Sequence, residues 1–510
     1  MFRRSGICIS RRYLNIQTRP ILSIPYGTGQ PTHETRSHYL PTSGNITPGI
    51  SAIEYYQRRL EFSTKMPLNS IAILVGNDIK YSSGSVFYDF QQNNDLYYLT
   101  GWLEPNSMAI IEKGANEDDI SLHMIVPPKT PHSELWEGPK SGLEGAYDYF
   151  NADYVESIDN CIKYLVQLTS RSKYIFWDSP NKSDSKKSFF SSLLSSTGST
   201  NVNGTIGDII AKSGKFIQPL SAKLAEQRAI KSDSEIQVMH AAAQISSRAI
   251  NKAIAKVGSE FPFSTEKTLA KYLEYQFVKG GCDKQAYIPV VASGPNALTI
   301  HYTRNDDILY RDEMVFVDAG GKLGGYCADI SRTWPNSPKG FSEPQRDIYE
   351  IVLNTNKKCI DMCDESKYNS LHDIHEFSVK YLTQELKNLP GFSAVTTNEV
   401  ARTLYPHYVG HHLGLDLHDI PSVSRYAKLV EGNVITIEPG LYIPINSKWP
   451  KHFQGIGVRV EDDIVVGKTN DEIFNLSSGC VKEIVDIESL ISSGKVTTPG
   501  VGEELVILDI

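Results

Sequence analysis

Asp318, Asp329, His411, Glu438 and Glu461 stand out in the C-terminal part of this 510-residue chain. Four carboxylates and one imidazole lie on segments that read as buried strands or glycine-flanked turns. Burying that much negative charge is prohibitive without a counter-charge. The simplest counter-charge is a pair of divalent metal ions. Such a pair polarises a carbonyl and makes hydroxide available near neutral pH. The chemistry implied is hydrolysis.

The elements around these residues are legible. Met314-Val315-Phe316-Val317 is a continuous apolar strand ending in Asp318, and Gly320, Gly321, Gly324 and Gly325 provide a turn. Residues 326–334 return as a strand, with Cys327, Asp329 and Ser331 on one face by period two. A hairpin there places Asp318 and Asp329 side by side, and two like charges that close raise a pKa or need a cation between them. The pattern recurs. A strand over 433–437 ends in Glu438-Pro439-Gly440, and Gly457, Arg459 and Glu461 share a face further on. The repeated order of strand, carboxylate, small or rigid residue and glycine predicts a duplicated unit facing itself across a pseudo-two-fold axis. His407, His411, His412 and His418 cluster between the halves, and Gly410 and Gly414 let backbone approach a ligand. Singly, each histidine reads as structural; together, between carboxylate strands, they read as a site.

The rest of the chain is too long for one core, so two or three domains are expected. Hydrophobic content of 40% and charged content of 22% are those of a soluble globular protein. A net charge of −8 argues against broad nucleic-acid binding, and no apolar run reaches membrane-spanning length. The seven cysteines, Cys8, Cys161, Cys282, Cys327, Cys359, Cys363 and Cys480, show no zinc spacing and suit a reducing compartment. Cys359 and Cys363 read as two small apolar residues on one helix face. Ahead of the carboxylates, a helix begins near Ile50 with Ile53, Tyr56 and Leu60 on one face. Strands are expected at 71–75, 95–99, 107–111 and 123–126, giving a small α/β domain. Residues 182–204, dense in Ser, Asn and Lys, read as a loop or insertion. Ser232 and Glu235 form a capping box that opens a long helix whose stripe is Ile236, Met239, Ala243, Ile250, Ile254 and Val257, with Gly258 as its stop.

The first 33 residues hold Arg3, Arg4, Arg11, Arg12 and Arg19 and neither an acid nor a lysine. Phe2, Ile9, Tyr13 and Ile16 fall on one helical face, with Arg4 and Arg11 opposite. This is the composition of a mitochondrial transit peptide, with Arg11-Arg12-Tyr13-Leu14 as a processing neighbourhood; the plain alternative is a basic arm. Residues 24–48, rich in Pro, Gly, Ser and Thr, read as a linker.

An ordered set of strings carries a family resemblance: His301-Tyr302-Thr303, Val317-Asp318-Ala319-Gly320, Ala328-Asp329-Ile330-Ser331-Arg332-Thr333, Gly410-His411-His412-Leu413-Gly414 through His418-Asp419, Glu438-Pro439-Gly440, and Gly457-Val458-Arg459-Val460-Glu461-Asp462. Together with the string from Tyr88 to Gly101, they resemble the pita-bread metallopeptidases, in the aminopeptidase P and prolidase branch. The resemblance covers residue 50 to the C-terminus. It implies an α/β (α+β) protein, behind the presequence and linker that composition assigns to 1–48. An aminopeptidase P-like α/β domain follows over 49–218 and a pita-bread catalytic domain over 219–510. It further implies that Asp318 chelates one ion, that Asp329 and Glu461 bridge two, and that His411 and Glu438 complete the second. Glu438 is the implied proton shuttle, His301 and His418 stabilise the tetrahedral intermediate, His407 lines the pocket and Arg459 orients the ligands. An oxygen-dominated shell favours Mn²⁺, with Zn²⁺ and Co²⁺ as alternatives. His412 departs from the pattern, in a slot that often holds an aromatic residue, and takes no metal role.

With the transit peptide, the body resembles the intermediate-cleaving aminopeptidases. These remove one residue from the N-termini of imported mitochondrial proteins after the processing peptidase has cut, and thereby stabilise the products. That implies a matrix location, a homodimer, and peripheral association with the inner membrane as a further option. The rivals are an Xaa-Pro aminopeptidase or prolidase acting on general peptides, and a methionine aminopeptidase, which lacks the N-terminal domain. A non-catalytic pita-bread peptide-binding module and a metal-free creatinase-like hydrolase are disfavoured because all five ligands are present.

Overall fold

A computed structural model of the protein describes residues 28–178, 206–260 and 262–495. The arginine-rich segment, its processing neighbourhood and the whole serine-rich stretch 182–204 lie outside the described residues.

The N-terminal half is built on a six-stranded mixed sheet. Its spatial order is Phe216–Gln218, Tyr174–Phe176, Ser70–Val75, Met108–Lys113, Ile120–Val126 and Tyr154–Ser157. Alternate residues of the central strands face opposite ways. Ala72, Leu74, Ala109 and Ile111 pack toward Phe62, Tyr98 and Trp102. Ile71, Ile73, Met108 and Ile110 pack toward Leu165, Leu168 and Ile210 on the other side. Both faces are covered, which is why these strands read as unbroken apolar runs.

Two expectations here are corrected. Residues 95–99 are not a strand but the body of a helix, Asn94–Thr100. Asn93 caps its start by accepting from the Leu96 amide, and Gly101 ends it at φ 71. Leu96 through Thr100 are all buried, so the run carries no helical period. The helix Ala52–Thr64 forms as expected but turns a different face inward. Ile53 is 69% exposed and Tyr56 52%, while Tyr55, Arg58, Arg59 and Phe62 are buried. The two arginines are accommodated because Arg58 lies over the Tyr98 ring and donates to its carbonyl, and Arg59 donates to the Leu99 carbonyl. Residues 28–44 lack regular structure, as a linker should, yet they are fastened down. The Gln30 amide donates to Gly101 O at 2.8 Å, and Tyr39 donates to Asp283 at 2.5 Å.

The capping box at Ser232 and Glu235 opens the helix Asp233–Ala255 as expected. This helix and Glu266–Gly280 back a first group of strands, in which Met314–Asp318 lies between Val290–Ser293 and Ser331–Pro335. The helices Glu343–Ile360 and Leu371–Lys387 flank the second group, in which Val434–Ile437 pairs with Asp462–Val465. The registers match the expected duplication. Asp318 lies opposite Ser331 at the end of one hairpin, and Ile437 lies opposite Asp462 at the end of the other. The halves meet where Thr333 and Arg459 exchange hydrogen bonds of 3.1 and 3.2 Å, and where the Glu461 amide donates to Ser331 O at 3.1 Å.

The return strand expected over 326–334 is broken in two. Tyr326–Cys327 pairs with Gly321–Leu323, and a second strand starts at Ser331. Gly324 and Gly325 make the tight turn at φ 54 and 88, a region that side chains with a Cβ rarely adopt. At Gly320 the constraint is space. A Cβ there would sit 1.8 Å from the Ala328 carbonyl oxygen, in the segment that carries Asp329. We expect Gly320→Ala to cost about 1–3 kcal/mol through overpacking. Its urea midpoint should fall, and an unchanged midpoint would contradict the close approach.

Candidate metal centre

Asp329, His411 and Glu461 offer ligand atoms that all lie within 4.8 Å of one another. Three elements bring them there. Asp329 sits in the gap between two strands, where its own amide donates to the Asp463 carboxylate at 3.1 Å. Glu461 follows the strand Gly457–Arg459, and its carboxylate accepts from Ser331 at 2.5 Å. His411 is held by its amide to Thr436 Oγ1 at 3.1 Å, and its Nδ1 donates to the His412 carbonyl at 2.9 Å. That bond leaves Nε2 as the free ring nitrogen, 3.5 Å from Asp329 Oδ2 and 3.8 Å from Glu438 Oε1.

Asp318 and Glu438 border this group through shared partners. Tyr287 donates to both Asp318 and Asp329, the latter at 2.5 Å. Arg459 pairs with Asp318, donates to Ser331 at 3.0 Å, and lies 3.9 Å from Glu438. His407 is placed by a 2.9 Å bond to the Tyr442 hydroxyl, which also accepts from Arg459, and stands 3.5 Å from Glu438. His418 is exposed, with its ring 4.4 Å from that of His411. His301 is exposed, and it lies near enough for its charge to act on His407 and His418. His412 is buried, feels the charges of Lys231, Asp419 and His411, and is not among the residues whose ligand atoms converge.

Electrostatics give the centre its character. Burial pushes the Glu461 and Asp318 carboxyls up, and it lifts Glu438 to about 7 despite the opposing Arg459 charge. Burial opposes a charged His411 as well, yet the Asp329 hydrogen bond and the Glu438 charge raise it to about 9. Burial, aided by Arg459, drives His407 down to about 3, so it stays neutral. Arg459 is the one permanent cation facing four carboxylates among the described residues here. The remaining negative charge is neutralised by protons or by metal. Oxygen donors with one imidazole of fixed tautomer are a donor set that fits divalent ions.

Tyr287, Tyr442 and Ser331 were not singled out as site residues from sequence. Tyr442 had a readable signal, because period two from Glu438 passes through Gly440 to Tyr442. Ser331 shares the Asp329 face in the same way. Tyr287 has none, since only the tertiary fold brings it over Asp318.

Comparison with known families decides the class. The family described as metallopeptidase family M24 matches residues 237–468, and the aminopeptidase P N-terminal domain matches residues 55–176. A relative named intermediate cleaving peptidase 55, from Saccharomyces cerevisiae, is 52% identical over 92% of this chain and 90% of its own. The chain belongs to metallopeptidase family M24. This M24 peptidase is also 33% identical to "Intermediate cleaving peptidase 55, mitochondrial" of Arabidopsis thaliana, over 91% of this chain and 88% of that one. A crystal structure of Icp55 from Saccharomyces cerevisiae superposes with a TM-score of 0.78 at 48% identity, covering 89% of this chain and all of that one. The pita-bread and aminopeptidase P-like architecture expected from sequence is borne out, and the family implies divalent metal ions.

Proposed function

We propose that this M24 peptidase is a mitochondrial aminopeptidase that removes a single N-terminal residue from imported proteins after processing-peptidase cleavage. The observation that carries the reading is the Asp329, His411 and Glu461 cluster, set in an M24 fold that is 52% identical to an intermediate cleaving peptidase over most of the chain. Residues 1–48 serve as presequence and tether, 49–218 as the N-terminal domain and 219–510 as the catalytic domain. The enzyme acts in the matrix as a homodimer, with peripheral contact to the inner membrane as a further option.

Asp318, Asp329, His411, Glu438 and Glu461 hold two divalent ions, and the predominance of oxygen donors favours Mn²⁺. When bound, these ions supply Lewis acidity toward the scissile carbonyl and a lowered pKa for the attacking water. The side chains do the rest. Glu438, 3.8 Å from His411 and 3.5 Å from His407, takes a proton from the attacking water and returns it to the leaving amine. His418 and His301, both exposed, donate to the oxygen that gains charge and hold the residue after the cut. Neutral His407, fixed by Tyr442, lines the pocket and adds no positive charge of its own. Arg459 orients Asp318, Ser331 and Tyr442 together.

Terminal proteomics of mitochondria with and without the enzyme tests the reading. Its loss should leave substrates one residue longer at their N-termini and less stable. Unchanged N-termini would remove the processing role.

A further inference from the structure

His411 and His418 bound a loop whose two ends are held differently. At the His411 end the backbone is locked to a strand. The Leu413 amide donates to Val434 O at 3.0 Å, and His412 bridges to Ile435. Past Gly414 the chain leaves the sheet. What closes it again is Asp419, whose amide donates to His412 O at 2.9 Å. The next residue, Ile420, is buried at φ 43, a costly conformation for a β-branched side chain, and it persists only where the surroundings impose it.

Those surroundings are a buried ionic knot. The Asp419 carboxylate, 4% exposed, receives Arg228 at 2.5 Å and Lys231 at 2.9 Å. Arg228 spreads its guanidinium over two further carboxylates, Asp416 at 2.8 Å and Asp95 at 2.6 Å. Asp416 belongs to the loop, whereas Asp95 belongs to the N-terminal half. Its neighbour Asn94 donates to Asp416 at 2.6 Å and to Leu415 O at 3.1 Å. The first turn of the helix Asn94–Thr100 therefore grips the loop from the other half of the molecule. Arg228, in the helix Leu220–Arg228, is the hub.

We infer that Arg228 is a positioning residue for the histidine loop, and that through Asp95 the N-terminal half sets where His418 stands relative to the metal centre. His418 precedes Asp419 directly, so displacing Asp419 displaces His418. The planar guanidinium can serve three carboxylates at once, which a lysine ammonium cannot do with the same geometry. The inference rests on the aminopeptidase reading for its kinetic part only.

The test compares Asp95→Asn, Arg228→Lys and Arg228→Met in the full-length protein. We expect kcat on an N-terminally cleaved peptide to fall by about tenfold to a hundredfold in Arg228→Met. KM and bound metal should stay close to wild type, and Arg228→Lys should recover part of the loss. Asp95→Asn leaves the Asp416 and Asp419 pairs intact, so it decides the matter if Arg228→Met does not fold. Amide exchange over residues 411–420, measured on metal-free protein, should be faster in Asp95→Asn than in wild type. An inactive wild type would overturn the aminopeptidase reading and leave the exchange result to judge the clamp. With an active wild type, unaltered kcat and exchange in Asp95→Asn would overturn the positioning role. So would a rate loss that tracks bound metal one for one.

Discussion

Replacing Asp329 by alanine should abolish hydrolysis and strip metal from the protein while leaving it folded. Asp329 shares close partners with several members of the centre. It lies 3.5 Å from His411 Nε2, it accepts from Tyr287, and its ligand oxygen falls within 4.8 Å of those of Glu461 and His411. Losing a group that only supports a metal ligand costs about 10–100-fold in affinity or activity. Losing a ligand itself, the role proposed for Asp329, should exceed the upper end of that range. The fold should survive, because Asp329 occupies a gap between strands and its amide bond to Asp463 does not need its side chain. Bound metal by elemental analysis, kcat/KM and circular dichroism check the three parts separately. Full activity in Asp329→Ala would overturn the mechanism.

The second large effect is on stability, and its pH dependence has a definite sign. Glu438 is raised from 4.5 to about 7 in the folded, metal-free protein, and Glu461 and Asp318 are raised with it, chiefly by burial. Between those pH values the folded form keeps protons that the unfolded chain has released. The associated stability is full below about pH 4.5 and is lost as pH climbs through 7. His411, raised from 6.5 to about 9, acts in the same direction, because its folded-state proton is favoured and is lost as pH rises. Asp329, held low by His411 against the penalty of burial, opposes this only in acid. Divalent ions replace those protons and bind deprotonated ligands. Metal at about 100 times its Kd contributes about 2.7 kcal/mol, or roughly 2–5 °C in Tm for a protein of this size. We expect that gain at pH 7.5 and less than half of it at pH 5.5. Thermal melts with Mn²⁺ and with chelator at both pH values measure it. An equal or larger gain in acid would show that the carboxylates do not exchange protons for metal.

The parts of this site that were legible in the sequence share one property. A carboxylate closing an apolar strand is anomalous in itself, because nothing local justifies its burial. Asp318 and Glu438 announce themselves in this way, and the glycines after them mark the turn. The duplication was legible because the same order of residue types occurs twice. What escaped depends on partners distant in the chain. Tyr287 is one tyrosine among 27 until the fold lays it over Asp318 and Asp329. The helix at 94–100 looked like a strand because burial on all sides erases the period that separates the two, although Asn93 and Gly101 were readable caps. The inward face of the first helix was missed because Arg58 and Arg59 are buried through contacts with Tyr98 and Leu99, and no hydrophobic pattern encodes that.

The centre is also assembled from far-apart stretches of chain. Arg459 and the Asp318 it holds are 141 positions apart, and the Arg228 hub lies 191 positions before Asp419. Contacts of such separation form late, after the entropy of closing long loops has been met. A polypeptide still being synthesised, or one not yet folded, holds these residues apart and cannot cut. Proteolytic power is thus withheld until folding is complete, and the folding reaction itself serves as the activation step.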